Sequence, residues 1–307
     1  MSLRGSSQRN RYKLSNLIFS DEDISGINNL SERNAMALPD YFLPTGFESN
    51  SSKFEDLRFH SRSELVEIIE CKISNFEKRF MAGQILGLIG DPRIRTLDPE
   101  MIEIPDGRVQ LGLSKDKVSL VADMYASDGV IEDWIWKECP SHYVDIKRFR
   151  IGRFSVTNFE YCNFLIDSKY GGYPSSWFLG CFPKHHSNHP VFSVEPADAD
   201  AYVQWLSTKT KRKFRLPSES EWEYAAGGLQ QLEFPWGDEF LIDRANTLES
   251  GVLQTTPIGC FPHGASPFGV LDMAGNVEEY VQNNYEPYPG GVNIDDDLAR
   301  RFDEPYR

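Results

Sequence analysis

The sequence predicts an α+β protein that is rich in loops and has an N-terminal helical extension. Three observations lead to this fold class. Short helix signals occur at several places, residues 99–113 alternate apolar and polar side chains as strands do, and a Gly/Pro-rich run fills residues 259–280. In a compact domain a run of that length is either functional or held by an ion.

The clearest helix signals are capping boxes, in which a hydroxyl residue precedes a glutamate by three positions. Ser218 and Glu221 form one box, and Thr157 and Glu160 form another. The first helix ends at Gly227-Gly228. Its inward face carries Trp222, Ala225 and Ala226.

The strand signal at residues 99–113 centres on Asp106-Gly107. This dipeptide is typical of a two-residue turn between antiparallel strands. We therefore expect residues 99–113 to form a β-hairpin.

The N-terminal part divides into an arm and a helical lead-in. Residues 1–60 are rich in Ser, Asn and Arg, so an extended or partly disordered arm is expected. In residues 61–98, Ser63 is expected to cap a helix, and a second short helix covers residues 81–89. An apolar stripe either packs on the domain's own surface, which we favour, or docks a partner. The stripe consists of Leu65, Ile69, Ile73, Phe76 and Phe80.

Composition narrows the class of partner. Lysine and arginine number 32 and aspartate and glutamate 46, a net charge of 32 − 46 = −14. This charge argues against nucleic acid or an anionic membrane as the main partner.

No apolar run approaches transmembrane length, and the N-terminus lacks the apolar core of a secretory signal. The five cysteines are odd in number and form no CxxC motif, so a reducing compartment, the cytoplasm, is expected.

Two further segments have an ordinary and a sharper interpretation. Residues 114–140 are acidic and contain Trp134 and Trp136, which form either a solvated face or a contact patch. A second segment brings four candidate metal ligands within nine positions: Cys181, His185, His186 and His189. Sulfur and imidazole suit zinc or copper, but the usual zinc spacing is missing, so a structural role is favoured there.

Four motifs resemble the formylglycine-generating enzyme family, the sulfatase-modifying-factor domain. They are HPV from His189, RLPSESEWEYAA from Arg215, FPWG from Phe234 and MAGNVEEY from Met273. The resemblance covers residues 99–307 and implies a C-type-lectin-like fold. The family contains copper oxidases that convert a sulfatase cysteine to formylglycine, non-haem iron sulfoxide synthases and ligand-binding proteins. Fold is therefore better determined than activity.

The catalytic residues of both oxidase branches have no match in this sequence. The copper-binding cysteine pair lies beyond the motifs above, and no cysteine follows Cys260. The iron branch uses His-x-x-x-His-x-Glu; His185 and His189 have the spacing, but Val191 stands where the glutamate belongs. No catalytic residue is assigned, and the domain is expected to lack the family's closing strands.

Two functions remain open at this point. The first is a non-catalytic, lectin-like module that binds a protein or a small ligand through its loops. The second is an oxygen-dependent copper or iron oxidase, for formylglycine generation or a related oxidation, whose catalytic C-terminal strands are not in this chain. Copper is expected only with that segment. A protein partner is expected, and the oligomeric state is not indicated.

Calcium is the cofactor that the resemblance implies. Asp272, Asn276 and Glu279 offer side-chain oxygens, and Gly275 and Val277 offer carbonyls, to an ion that takes six to eight oxygens. Asn246 and Thr247 match the start of a second family site, whose following acidic ligand falls in a shortened segment. The alternative for all of them is hydrogen bonding within the loop.

Overall fold

The computed structural model describes residues 51–126 and 130–294. Within these ranges, α-helices and β-strands are joined by long loops and short 3₁₀ turns. The helices are α1 Ser51–Leu57, α2 Arg62–Glu70, α3 Phe76–Ile89, α4 Val118–Tyr125, α5 Glu132–Trp136, α6 Asn158–Ser168, α7 Pro196–Thr210 and α8 Glu219–Gly227. The strands are β1 Met101–Ile104, β2 Gly107–Leu111, β3 His142–Ile146 and β4 Phe149–Gly152.

The strands form one antiparallel ribbon with an interruption. β1 pairs with β4, with Met101 opposite Gly152, and β2 pairs with β3 in the same register, with Leu111 opposite His142. The β-hairpin predicted within residues 99–113 is therefore wrong. Pro105 has no N–H to donate and interrupts the ladder. The chain does not reverse there, so both halves pair with residues 142–152 instead of with each other.

Both predicted capping boxes are confirmed. The Ser218 hydroxyl accepts from the Glu221 N–H while the Glu221 carboxylate accepts from the Ser218 N–H, and this pair begins α8. The Thr157–Glu160 pair begins α6 in the same way. Each box satisfies two donors that a helix start otherwise leaves without a partner.

The lead-in is helical, and its buried side chains form one core together with Val252 of the domain. Leu57 of α1 is buried in it, so residues 51–57 of the predicted arm are helical and packed, while residues 1–50 lie outside the described residues. Three details predicted for the lead-in are wrong. Ser61, not Ser63, caps α2, Ile73 is 96% exposed, and the second helix begins at Phe76 and not at residue 81. The reason is a helix break, because Asn75 caps a new helix, α3, and redirects the chain.

Helix α3 packs on the domain through two glycines. A Cβ added to Gly83 would lie 2.6 Å from the Pro257 ring, and one added to Gly87 would lie 2.7 Å from Oδ1 of Asn188. The Asn188 amide donates to the Gly83 carbonyl at 2.9 Å. The lead-in therefore packs against its own domain, as the favoured interpretation predicted.

Two apolar clusters build the domain. One joins the ribbon to α8, with Tyr224, Ala225 and Ala226 buried and Trp222 packed beside them. The other is an aromatic cluster between α6 and α7: Tyr161, Phe164, Trp177, Tyr202 and Leu206.

The acidic segment predicted at residues 114–140 contains α4 and α5. Trp134 is 41% exposed, whereas Trp136 is half-buried. Residues 127–129 lie outside the described part of the chain. In the described ranges no helix has both the length and the apolar character needed to cross a membrane.

Replacing Gly83 by alanine is expected to lower the free energy of unfolding by about 1–3 kcal/mol, because the added methyl group overlaps the rigid Pro257 ring. Urea denaturation measures the change. Gly171→Ala is the matched control, since a Cβ there meets no atom within 4 Å. Equal unfolding midpoints for the two variants would show that α3 does not depend on this close approach.

Candidate functional site

The loop that contains MAGNVEEY is fastened by the side chain of Asn276. Its Oδ1 accepts from the Thr256 N–H at 2.8 Å and from the Asn246 amide at 3.1 Å. Its own amide donates to the Thr256 carbonyl at 3.2 Å. One side chain thus holds three separate loop segments together, which compensates for the missing backbone ladder.

Gly275 allows this junction to close. A Cβ at this position would lie 2.6 Å from the Asn246 carbonyl oxygen, and the Gly275 φ of 134° is one that side chains rarely adopt. Four candidate ligands therefore lie together, although the sequence analysis assigned two of them, Asn246 and Thr247, to a second site: Asn246, Thr247, Gly275 and Asn276.

Asp272 and Glu279 lie on either side of that junction. Oδ2 of Asp272 accepts from the Gly259 N–H at 2.9 Å. Burial raises the pKa of Asp272 to about 6, and the Glu279 carboxylate adds to this effect. Glu279 accepts from the Ser155 hydroxyl at 2.6 Å and from Nε1 of Trp222 at 2.7 Å.

These residues offer only some of the oxygen ligands that calcium requires. Thr247 and Thr256 each bury a hydroxyl that has no hydrogen-bond partner in the described structure, and both flank the Asn246–Asn276 junction. Oxygens of this kind suit calcium. The Asn276 and Glu279 oxygens, however, already accept hydrogen bonds. Residues 51–126 and 130–294 contain no group of three or more His, Cys, Asp or Glu placed to hold a metal ion, so neutral oxygens would have to supply most ligands.

In the histidine segment, His189 contacts both Gln84 of helix α3 and Thr255 of a loop. The rings of His186 and His189 stack with centroids 4.2 Å apart. Nδ1 of His189 lies 2.9 Å from the Thr255 hydroxyl, and its Nε2 lies 3.0 Å from the Gln84 amide. Both ring nitrogens therefore have protein partners.

A deep cleft of about 2110 Å³ lies beside the ribbon. Strands β1 and β4 form one wall, and residues 191–194 and 277–280 form others. Half-buried apolar side chains line it, among them Phe149, Ile151 and Val194. Candidate ligands Asn246, Thr247, Asn276, Val277 and Glu279 also border this space.

The comparison with protein families settles the relationship. Residues 90–302 match the model of the sulfatase-modifying factor enzyme 1-like domain. The chain belongs to this family. The α+β formylglycine-generating-enzyme fold predicted from the four motifs is thereby confirmed.

The relatives differ in activity. A hercynine oxygenase of Mycobacterium tuberculosis is 32% identical over 203 residues, which cover 55% of this chain and 45% of that protein. The chain thus spans about half the length of this relative. The "inactive C-alpha-formylglycine-generating enzyme 2" of Mus musculus is 28% identical over 66% of this chain and 76% of its own length.

A formylglycine-generating enzyme of M. tuberculosis is 26% identical over 62% of this chain and 75% of its own length. Among solved structures, PvdO from Pseudomonas aeruginosa aligns with a TM-score of 0.49 and 28% identity, over 65% of this chain and 76% of that one.

The sequence did not reveal two features of the site. The bond from Trp222 to Glu279 spans 57 residues and joins two motifs recognised separately. The cleft is not apparent from the sequence either, because its wall forms by pairing of β1 with β4, whose residues are more than forty positions apart. Alternating residues at 142–152 carried the signal, since they repeat the pattern of residues 101–111.

The stacked histidines predict a pH dependence. Burial, assisted by neighbouring His185, lowers the pKa of His186 from 6.5 to about 4, and burial also lowers the pKa of His189. Between about pH 4 and 6.5 these two histidines bind more protons in the unfolded chain than in the folded chain, so their contribution to stability falls as the pH falls through this window. This contribution lowers the urea midpoint at about pH 5 relative to about pH 7.5.

Replacing His186 by Gln removes one of these titrating rings. The variant should lose less stability than the parent on the same acidification, although Asp272, whose pKa is raised, acts in the opposite direction in both proteins. The difference between parent and variant therefore isolates the ring. Identical pH profiles would show that His186 does not titrate in this way.

Proposed function

We propose that this chain is a non-catalytic member of its family that binds an extended polypeptide segment in the cleft beside the ribbon. The cleft is the observation that carries the proposal. Its volume of about 2110 Å³ exceeds the roughly 300–1,000 Å³ typical of small-molecule sites. A space of this volume suits a chain of several residues better than one small ligand.

The ribbon offers main-chain partners to such a segment. In the described structure β1 and β4 pair only with each other, so each has a second edge without a strand partner. An unpaired edge presents N–H and C=O groups that an extended peptide can use. Peptides bound by strand addition gain affinity from these bonds and specificity from side-chain pockets. Apolar residues such as Phe149 and Ile151 lie where those pockets would form.

Charged side chains along the cleft would set the direction of the peptide. Arg148 and Arg150 of the ribbon carry positive charge, part of which Glu103 offsets by pairing with Arg148 at 3.6 Å. Glu278 and Glu279 carry negative charge on another wall. Arg150 is exposed and stands opposite Glu103 in the register. Opposite charges on different walls favour one orientation of a bound chain over its reverse.

The non-catalytic part of the proposal rests on the cysteines. None of the five free cysteines stands in a Cys-x-x-Cys motif, and the two that are buried, Cys139 and Cys260, are distant in the sequence. Copper(I) favours soft thiolate ligands. An inactive mouse formylglycine-generating enzyme among the relatives is a precedent for such a role.

The alternative is an oxygen-dependent copper or iron oxidase, in which this chain supplies the scaffold for catalytic residues located elsewhere. The match to a hercynine oxygenase and to a formylglycine-generating enzyme favours this alternative. The mass of a Cys-x-Pro-x-Arg peptide after incubation with the protein, copper and oxygen bears on this alternative.

Selection from a phage-displayed library of random peptides is expected to enrich sequences that bind the parent. Arg150→Glu should weaken the binding of enriched peptides about tenfold or more, because it reverses a charge on the cleft wall. Lys147→Glu is the matched control, since it makes the same charge change at an exposed ribbon position outside the cleft.

Failure to enrich any peptide, or equal weakening by both variants, would contradict binding in the cleft. The non-catalytic part of the proposal is tested by incubating a Cys-x-Pro-x-Arg peptide with the protein, copper and oxygen. The proposal requires an unchanged peptide mass. A copper-dependent conversion of the cysteine to formylglycine would contradict the non-catalytic part of the proposal.

Calcium at the Asn276 loop is a second part of the proposal. It is supported by the family resemblance and by the buried hydroxyls of Thr247 and Thr256, which lack partners in the described residues. A ligand that binds only the folded state stabilises it by about 2.7 kcal/mol at a hundredfold excess over Kd. Thermal melts in millimolar calcium and in chelator should therefore differ clearly for the parent.

The same melts on two variants locate the ion. Glu279→Gln should lose most of the calcium effect, whereas Glu278→Gln, an identical change at the exposed neighbour, should retain it. Coincident melts of the parent in both buffers would remove calcium from the proposal and leave the loop held by hydrogen bonds alone.

A further inference from the structure

Two large apolar side chains project from the loop that follows helix α6. Phe178 is 82% exposed and Leu179 is 84% exposed. They are adjacent in the sequence and lie in the 3₁₀ turn Phe178–Gly180. We call residues 177–180 the tip.

The backbone of the tip is held in an unfavourable conformation. Leu179 has φ 54° and ψ 26°, the left-handed region, where a branched apolar residue is disfavoured relative to Gly or Asn. The turn is closed by hydrogen bonds from the Gly180 N–H to the Trp177 carbonyl and from the Cys181 N–H to the Phe178 carbonyl. A leucine is thus kept at a position suited to glycine, where its side chain reaches solvent.

Contacts of the buried Trp177 side chain hold the tip on the domain. Trp177 is buried, and its Nε1 donates to Oδ1 of Asn158 at 2.8 Å. The rings of Trp177 and Phe182 contact edge to face, with centroids 5.5 Å apart. The preceding residues are also bound, since the Ser176 hydroxyl donates to the Phe192 carbonyl. A fixed base with two exposed apolar groups has the form of a preformed contact surface.

The charge distribution indicates what approaches this surface. Residues 168–194 contain no Asp or Glu, the longest such stretch in a chain of net charge −14. They contain two lysines, Lys169 and Lys184. The carboxylate of Asp198 contacts this stretch, but it is buried and accepts from the Tyr170 hydroxyl at 3.0 Å. Two copies of so acidic a protein repel one another over most of their surface, and the repulsion is least where exposed carboxylates are fewest.

We propose that the tip is a self-association surface, at which two copies of this chain pair around a two-fold axis. In such a pair Phe178 packs against the partner's Leu179, and the reverse contact follows from the symmetry. Tyr173, 57% exposed, packs beside Gly180 and enlarges the patch. Because the apolar patch is small compared with a standard interface, the dimer is expected to be weak and to depend on protein concentration.

A membrane is the less favoured occupant. Two apolar side chains and two lysines give a membrane affinity below that of a single acyl chain, which itself anchors only marginally. The same two side chains suffice as the centre of a weak protein contact, where a few central residues carry most of the binding energy.

Sedimentation equilibrium of the full chain, from low micromolar to several hundred micromolar, tests the proposal. The parent should shift from monomer to dimer as the concentration rises. Phe178→Ser combined with Leu179→Asn should stay monomeric over the whole range. Its melting temperature at low concentration should not fall, since both side chains are exposed and Asn tolerates the left-handed backbone.

The matched control is Leu120→Ser combined with Met124→Ser. These residues are 61% and 60% exposed on α4, so the control removes a similar apolar area elsewhere. It should dimerise as the parent does. A parent that is monomeric at every concentration, or a tip variant that dimerises as well as the parent, overturns the proposal. Monomeric parent that co-sediments with phosphatidylserine vesicles, and a tip variant that does not, would overturn it in favour of a membrane contact.

Discussion

A buried ion pair, Asp91 with Arg93, holds the lead-in and the loops of the domain in one structure. Arg93 Nη2 lies 2.6 Å from Asp91 Oδ2, and its Nε lies 2.9 Å from Oδ1; the side chains are 5% and 0% exposed. Burial alone would raise the pKa of Asp91, but the hydrogen bonds and charge of Arg93 hold it below its ordinary value. Since a buried charge without its partner is costly, neither residue can be lost alone without strong destabilisation.

The remaining bonds of this pair reach the segments that build the site. Arg93 Nη1 donates to the Ile258 carbonyl at 2.9 Å, and the Asn188 amide donates to Asp91 at 2.9 Å. The next residue after Ile258, Gly259, donates its N–H to Asp272. Three segments that are distant in sequence therefore meet at one charge pair. In the described structure the loop contributes no strand to the ribbon. Side-chain bonds and single backbone bonds, such as that from the Leu271 N–H to the Arg153 carbonyl, hold it in place instead.

Whether a feature could be predicted from the sequence depends on how many residues separate the two partners of the interaction that forms it. The boxes Ser218–Glu221 and Thr157–Glu160 act over three residues, so the sequence identified them. Strand pairing acts over about forty residues in this ribbon, and the local signal of Asp106-Gly107 misled the prediction. Four motifs identified the family because each has a structural role, as the His189 contacts with Gln84 and Thr255 illustrate. The cleft and the tip depend on how distant segments pack, which no local pattern encodes.

The segment that carries the tip is hydrogen-bonded to one wall of the cleft. The Ser176 hydroxyl and the Ser175 N–H donate to the carbonyls of Phe192 and Ser193, two residues that line the cleft. A contact that fixes the tip therefore fixes one cleft wall as well. If two copies pair through the tip, their clefts are related by the same two-fold axis and can bind two segments of one partner. Such a bivalent arrangement raises the apparent affinity without any new contact in either cleft, provided the partner spans both sites.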